Sequence, residues 1–124
     1  MVLPAPRVLV LEDSVLVAMA IEAALADCGV EAVVAGGLAA ARDRLSRGPV
    51  DAALLDLQLP DGNSLGLARD LTARGCPVAL CSGVDSGALP AEYPAAQRFF
   101  KPVGADVLAQ WVASVIADRD PDRP

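Results

Sequence analysis

Short apolar runs alternate with longer segments of helical period along most of this chain. Residues 7–11, 31–35, 51–55, 77–81 and 97–100 read as strands, brief and rich in Val, Leu and Ala with a Phe pair in the last. Segments near 14–27, 37–47, 64–74 and 104–118 repeat their apolar positions at the spacing of a helix face. Strand and helix in alternation are the signature of βαβ units and a parallel sheet. Ser14 stands where the first helix needs an N-cap, and Val17, Ala20, Ile21, Ala24 and Leu25 share one face of that helix. Gly29, Gly48-Pro49 and Gly75 close the first three helices. The last helix carries Val107, Leu108, Trp111, Val112, Val115 and Ile116 as one stripe, read as core packing. One stretch breaks the rhythm. Between Ser82-Gly83 and Phe99, Gly87, Pro90 and Pro94 leave room for about one helical turn, so the fourth crossover helix is expected to be short or irregular. The pattern therefore predicts a short extension at 1–6, one domain at 7–118 and a flexible tail at 119–124.

The polar residues that end the strands carry the chemistry. Val8-Leu9-Val10-Leu11 runs into Glu12-Asp13, Leu54-Leu55 into Asp56, Leu80-Cys81 into Ser82-Gly83, and Phe99-Phe100 into Lys101-Pro102. Parallel strands bring such ends to one crevice. Three carboxylates there repel one another unless a divalent cation neutralises them, and hard oxygen donors favour magnesium. Asp56 could act as a nucleophile on phosphorus and form an acyl phosphate. The transferred group then needs positive charge and donors at fixed places. Lys101 can supply the charge, Ser82 a hydroxyl, and Gly83 a closely approaching backbone N–H. Lys101 is the sole lysine beside nine arginines, which marks its position as one where arginine does not serve.

Composition narrows the function classes. A chain of 124 residues fits one domain, and 54 % hydrophobic residues with one Trp, one Tyr and two Phe require a core of Val, Leu and Ala. A net charge of −6 and arginines scattered among acids argue against a nucleic-acid partner. No apolar stretch approaches a membrane span, and the start lacks the basic region of a signal peptide, so a cytoplasmic location is expected. Cys28, Cys76 and Cys81 have neither disulfide nor zinc spacing. With no histidine, the chain can form neither a catalytic triad nor a phosphohistidine, so any phosphohistidine belongs to a partner. A flavodoxin-like nucleotide site is disfavoured, because Glu12-Asp13 occupies the place of its phosphate loop. A haloacid-dehalogenase-type phosphatase usually has Asp-x-Asp, and Gln58 stands at the second acid.

Taken in order, Glu12-Asp13, Asp56 within Leu-Leu-Asp-Leu-Gln-Leu-Pro-Asp-Gly, Ser82 before Gly83 and Lys101-Pro102 resemble the receiver domain of two-component response regulators over residues 7–118. The resemblance implies a doubly wound, five-stranded parallel sheet of order 2-1-3-4-5, the flavodoxin-like receiver fold. It implies a phosphoryl group taken by Asp56 from a partner histidine kinase or histidine phosphotransfer protein. It implies magnesium on Asp13, Asp56 and the Gln58 carbonyl, with Glu12 assisting through water, and a cis Lys101–Pro102 bond. Such a receiver catalyses its own phosphorylation and slow self-dephosphorylation, with Gln58 and Val84 flanking the water, but does not turn over external substrates. Read as a stand-alone unit, as monomer or homodimer, it would signal by contact with a downstream protein or drain phosphate from the kinase. The alternative is a degenerate receiver-fold module that binds a partner without phosphorylation.

Three departures qualify the match. Arg98 stands where receivers usually carry the switch aromatic, with Phe99 and Phe100 displaced by one and two, so Arg98, Phe99 and Phe100 are the expected switch and output residues together with segment 84–96 and the last helix. Leu80-Cys81-Ser82-Gly83 shares its last two places with the Phe-Ala-Thr-Gly segment of a single-domain subgroup, Ser replacing Thr. Ser64 occupies a common glycine position, which an N-cap serine would explain.

Overall fold

The computed structural model describes residues 4–83 and 97–118. In chain order these form β1 (Arg7–Leu11), α1 (Val15–Asp27), β2 (Glu31–Ala35), α2 (Leu38–Ser46), β3 (Ala52–Asp56), β4 (Gln58–Leu59), β5 (Gly62–Asn63), α3 (Leu65–Ala73), β6 (Val78–Ser82), β7 (Gln97–Phe100) and α4 (Ala105–Asp118). Five strands make one parallel sheet of order β2-β1-β3-β6-β7. Counting only those five, this is the expected order 2-1-3-4-5. β4 and β5 form a small antiparallel hairpin directly after β3, which the periodicity did not suggest. The expected short or irregular helix at 84–96 lies outside the described residues.

Helices cover both faces of the sheet. Leu9, Leu11, Ala53, Leu55, Val78 and Leu80 pack with Ala41 of α2 and Leu67, Ala68 and Leu71 of α3. Val8, Val10, Ala52, Leu54, Ala79 and Cys81 pack with Ile21 and Leu25 of α1 and Leu108, Ala109 and Val112 of α4. Every residue of β3 and β6 is buried, which is why these strands read as continuous apolar runs. No helix among the described residues is long and apolar enough to cross a membrane.

The caps follow the sequence with one exception. The Ser14 hydroxyl accepts the Val17 N–H at 3.3 Å, and Gly29 and Gly75 follow their helices at φ +76° and +81°. Ser64, expected as the α3 N-cap, holds the position without doing the work. Its Oγ is buried without a hydrogen-bond partner, and the neighbouring Asn63 Oδ1 accepts the Leu65 N–H at 3.1 Å instead. Two expected helix faces also shift. In α1, Ala18 is buried and Val17 and Ala20 are exposed, because the helix is apolar nearly all round and its contacts with α4 and β2 choose the face. In α4, Val107 is exposed while Leu108, Ala109 and Val112 are buried.

Candidate functional site

The loops that leave β1, β3 and β7 meet at the carboxyl edge of the sheet. β1 delivers Glu12 and Asp13 between its last core residue, Leu11, and the cap of α1. β3 delivers Asp56 as its final residue, directly after Leu55. Lys101 follows β7, and its backbone N–H donates to the Ser82 carbonyl at 2.8 Å, extending the β6–β7 ladder by one step. The Lys101–Pro102 bond is cis, as the resemblance implied.

These elements bring four charged side chains together. Lys101 Nζ lies 2.8 Å from Asp56 Oδ1 and 3.2 Å from Glu12 Oε1. One carboxylate oxygen each from Glu12, Asp13 and Asp56 falls within 4.8 Å of the others. Glu12 and Asp56 are buried, whereas Asp13 is exposed. The Ser14 N–H donates to Glu12 Oε2 at 3.0 Å, so the start of α1 fixes the glutamate while Lys101 holds its other oxygen. Oxygen donors clustered this closely suit a hard divalent cation such as magnesium.

The electrostatics show how crowded the site is. Burial pushes the Asp56 carboxyl up to about 7, the hydrogen bond and charge of Glu12 push the same way, and Lys101 only partly opposes them. Burial would also raise Glu12, yet its hydrogen bonds with Asp56, the Ser14 N–H and Lys101 hold it below its ordinary value. The Lys101 ammonium would be lowered by burial, but Asp56 and Glu12 outweigh that and raise it. The chain's one lysine therefore remains a cation between two acids.

The other expected residues take graded places. Ser82 ends β6, buried, one step beyond Cys81, the register partner of Asp56; Gly83 follows it, exposed. Gln58 opens the β4–β5 hairpin two residues after Asp56, opposite Asn63. On β7, Arg98 is half-buried, Phe99 packs against the α1–α4 side of the core, and Phe100 is 70 % exposed. Val84 and the output segment 84–96 lie outside the described residues.

Two features escaped the sequence. A cleft of about 360 Å³ runs from Ile21 and Leu108, past Val10, Leu54 and Cys81, to Glu12, Asp56 and Lys101. Small core residues leave such a cleft, but only tertiary packing shows where. Asp61, at the hairpin turn, accepts the Leu38 and Ala39 N–H groups at the start of α2. Its sequence signal was faint, a helix beginning after Gly37 with no capping side chain of its own.

The strand order, the two helical layers and the polar edge define a receiver-type α/β domain. The receiver domain of a signal transduction histidine kinase from Syntrophus aciditrophicus superposes with a TM-score of 0.81 at 23 % identity, covering 96 % of each chain. The receiver domain of a Francisella response regulator gives a TM-score of 0.79 at 23 % identity, with 91 % of this chain and 98 % of that one covered. A CheY-like receiver domain from Methylobacillus flagellatus gives 0.77 at 23 % identity, covering 90 % and 98 %. The chain thus has the response-regulator receiver fold. In sequence it is 37 % identical, over 81 residues, to a protein-glutamate methylesterase/protein-glutamine glutaminase from Anaeromyxobacter dehalogenans. That match takes in 64 % of this chain and 23 % of the longer protein. No family model matches the chain.

Proposed function

We propose that residues 7–118 act as a phosphoacceptor receiver in two-component signalling, with Asp56 taking a phosphoryl group from a phosphohistidine on a partner kinase or phosphotransfer protein. The observation that carries this reading is the convergence of Glu12, Asp13 and Asp56 on Lys101 at the carboxyl edge of a receiver fold. An Asp56 carboxylate oxygen attacks phosphorus, the P–N bond to the partner imidazole breaks, and that ring leaves with the electron pair and takes up a proton. Magnesium held by Asp13, Asp56 and the Gln58 carbonyl, with Glu12 through water, would neutralise charge on the phosphoryl oxygens. Lys101 moves its ammonium from Asp56 to the incoming phosphoryl group, a short step because it already lies at 2.8 Å. Ser82 and the Gly83 N–H serve the remaining oxygens from the end of β6. Release of the Lys101 ion pair is also what frees Asp56 as a nucleophile. The phosphorylated form is read by a downstream protein through Arg98, Phe99 and Phe100, or serves as a sink for kinase phosphate.

Incubation with acetyl phosphate and magnesium tests this directly. Intact mass should rise by one phosphoryl group in the wild type and stay unchanged in Asp56→Asn or without magnesium. Lys101→Arg should keep the charge yet lose most of the phosphorylation rate, since the planar fork does not replace a compact ammonium between two acids. No mass gain with acetyl phosphate or with any phosphohistidine donor would instead favour a receiver-fold module that works without phosphorylation.

A further inference from the structure

The loops at the carboxyl edge are stitched to one another as well as to their strands. The Glu12 N–H donates to the Ala35 carbonyl at 3.0 Å, tying the acid loop to the end of β2. Gly36 and Gly37 then lead into α2, and Gly37, as its N-cap residue, has no side chain to offer the first free amides. Asp61 takes them from the tip of the β4–β5 hairpin. Leu38 N–H donates to Oδ1 at 2.9 Å and Ala39 N–H to Oδ2 at 3.2 Å. With each oxygen on its own amide, the carboxylate is held at two points across the helix end.

The close approach depends on missing side chains on both partners. A Cβ on Gly37 would stand 3.1 Å from Asp61 Oδ1, and one on Gly62 would stand 3.1 Å from Leu38 Cδ1. Gly62 also has φ +136°, a conformation L side chains rarely adopt. At its other end, the hairpin is closed by the Ser64 N–H to Leu57 carbonyl bond at 3.0 Å and anchored to β6 by the Leu57 N–H to Cys81 carbonyl bond at 2.9 Å. Gln58 lies between these two fixed points. A local cap would order α2 alone, whereas this one, drawn from 22 and 23 residues away, fixes one loop against another.

We infer that Asp61 is a positioning residue: by clamping the hairpin tip to the start of α2 it sets where the Gln58 carbonyl stands relative to Glu12 and Asp13, and so tunes affinity for the divalent cation. The inference rests on the reading of Gln58 as a metal ligand given above. Residues that orient ligands from behind typically change metal affinity by about 10- to 100-fold when lost.

Magnesium titration by calorimetry on the full chain, with thermal unfolding and amide exchange alongside, tests it. Asp61→Ala should weaken magnesium binding about tenfold, and Asp61→Asn by less, since the amide keeps one acceptor oxygen. The decisive variant is Gly37→Ser combined with Asp61→Ala. Gly37 has φ −163° and ψ 174°, the extended region from which serine caps a helix, and without the Asp61 carboxylate its new Cβ has room. This variant should recover the thermal stability lost in Asp61→Ala while magnesium binding stays about tenfold weak and amides 57–63 exchange faster than in the wild type. Recovery of both stability and magnesium affinity would reduce Asp61 to a helix cap. Wild-type affinity in Asp61→Ala would overturn the inference outright. A wild-type chain that binds no magnesium would remove the metal reading of the site and this inference with it, whereas the other two failures leave that reading standing.

Discussion

The two faces of the sheet are built from the same aliphatic residues but close differently. Under α2 and α3, Leu9, Leu11, Leu55 and Leu80 meet Leu67 and Leu71 with none of the six more than 3 % exposed. Under α1 and α4, Val10, Leu54 and Cys81 are also buried, yet the layer opens at its carboxyl end into the cleft that reaches Asp56 and Lys101. Alternation along β3 places Leu55 on the first face, and Leu54 and Asp56 beside the second. The acids therefore sit on the face where packing is incomplete and small groups can reach them.

Changes of volume should separate the two faces most clearly. Leu80→Ala, on the closed face, is expected to cost about 3 kcal/mol in urea unfolding. Enlarging a side chain should then distinguish them at smaller scale. Ala53→Val adds volume where none is free and should cost about 1–3 kcal/mol. Val10→Ile grows toward the cleft and should change stability by less than about 0.5 kcal/mol. Equal penalties for those two enlargements would erase the distinction.

The charges give the next largest effect. In the folded chain Asp56 is raised to about 7, so it holds a proton more tightly than the unfolded chain does. Its contribution thus turns unfavourable as pH rises from about 4 toward about 7. Glu12 runs the opposite way, since its lowered value contributes stability that is lost on acidification. Asp56→Asn, measured with chelator present, should therefore stabilise the protein by about 2 kcal/mol at pH 8 and by almost nothing near pH 4. Magnesium should raise the melting temperature of the wild type and leave that of Asp56→Asn nearly unchanged. A variant no more stable at pH 8 than near pH 4 would mean that the acid trio is not under repulsion.

The two central strands and their polar ends were the most legible parts of the sequence. Leu54-Leu55-Asp56 and Leu80-Cys81-Ser82 announce buried parallel strands, because such strands need no polar alternation, and a polar residue ending one must lie at the sheet's edge. The meeting of Glu12, Asp13, Asp56 and Lys101 was legible for the same reason. The orientation of α1 was not. Val15, Leu16 and Met19 are exposed apolar residues, so a helix apolar on nearly every side carries no periodic signal of its buried face. Asp61 was hidden by distance, since propensity rules look for a cap beside its helix, not on the far side of a strand. The strength of the Asp56 shift depends on burial around it, which pattern alone does not measure.

Ser64 marks the place where local sequence logic pointed to the wrong cap, and it gives a small effect. The residue precedes α3, the helix that covers the closed face, and its hydroxyl is fully buried without a partner. A buried hydroxyl left unpaired costs about 1–3 kcal/mol, and replacing it with a methyl removes that cost while opening little space. Ser64→Ala should therefore stabilise the chain by about 1 kcal/mol. Asn63, which accepts the Leu65 N–H, should show the opposite sign, with Asn63→Ala costing about 1 kcal/mol. Side-by-side urea midpoints decide between the two residues. If Ser64→Ala were the destabilising change, the serine would be the working cap after all, and the closed face would have no buried side-chain polar group left unsatisfied among the described residues.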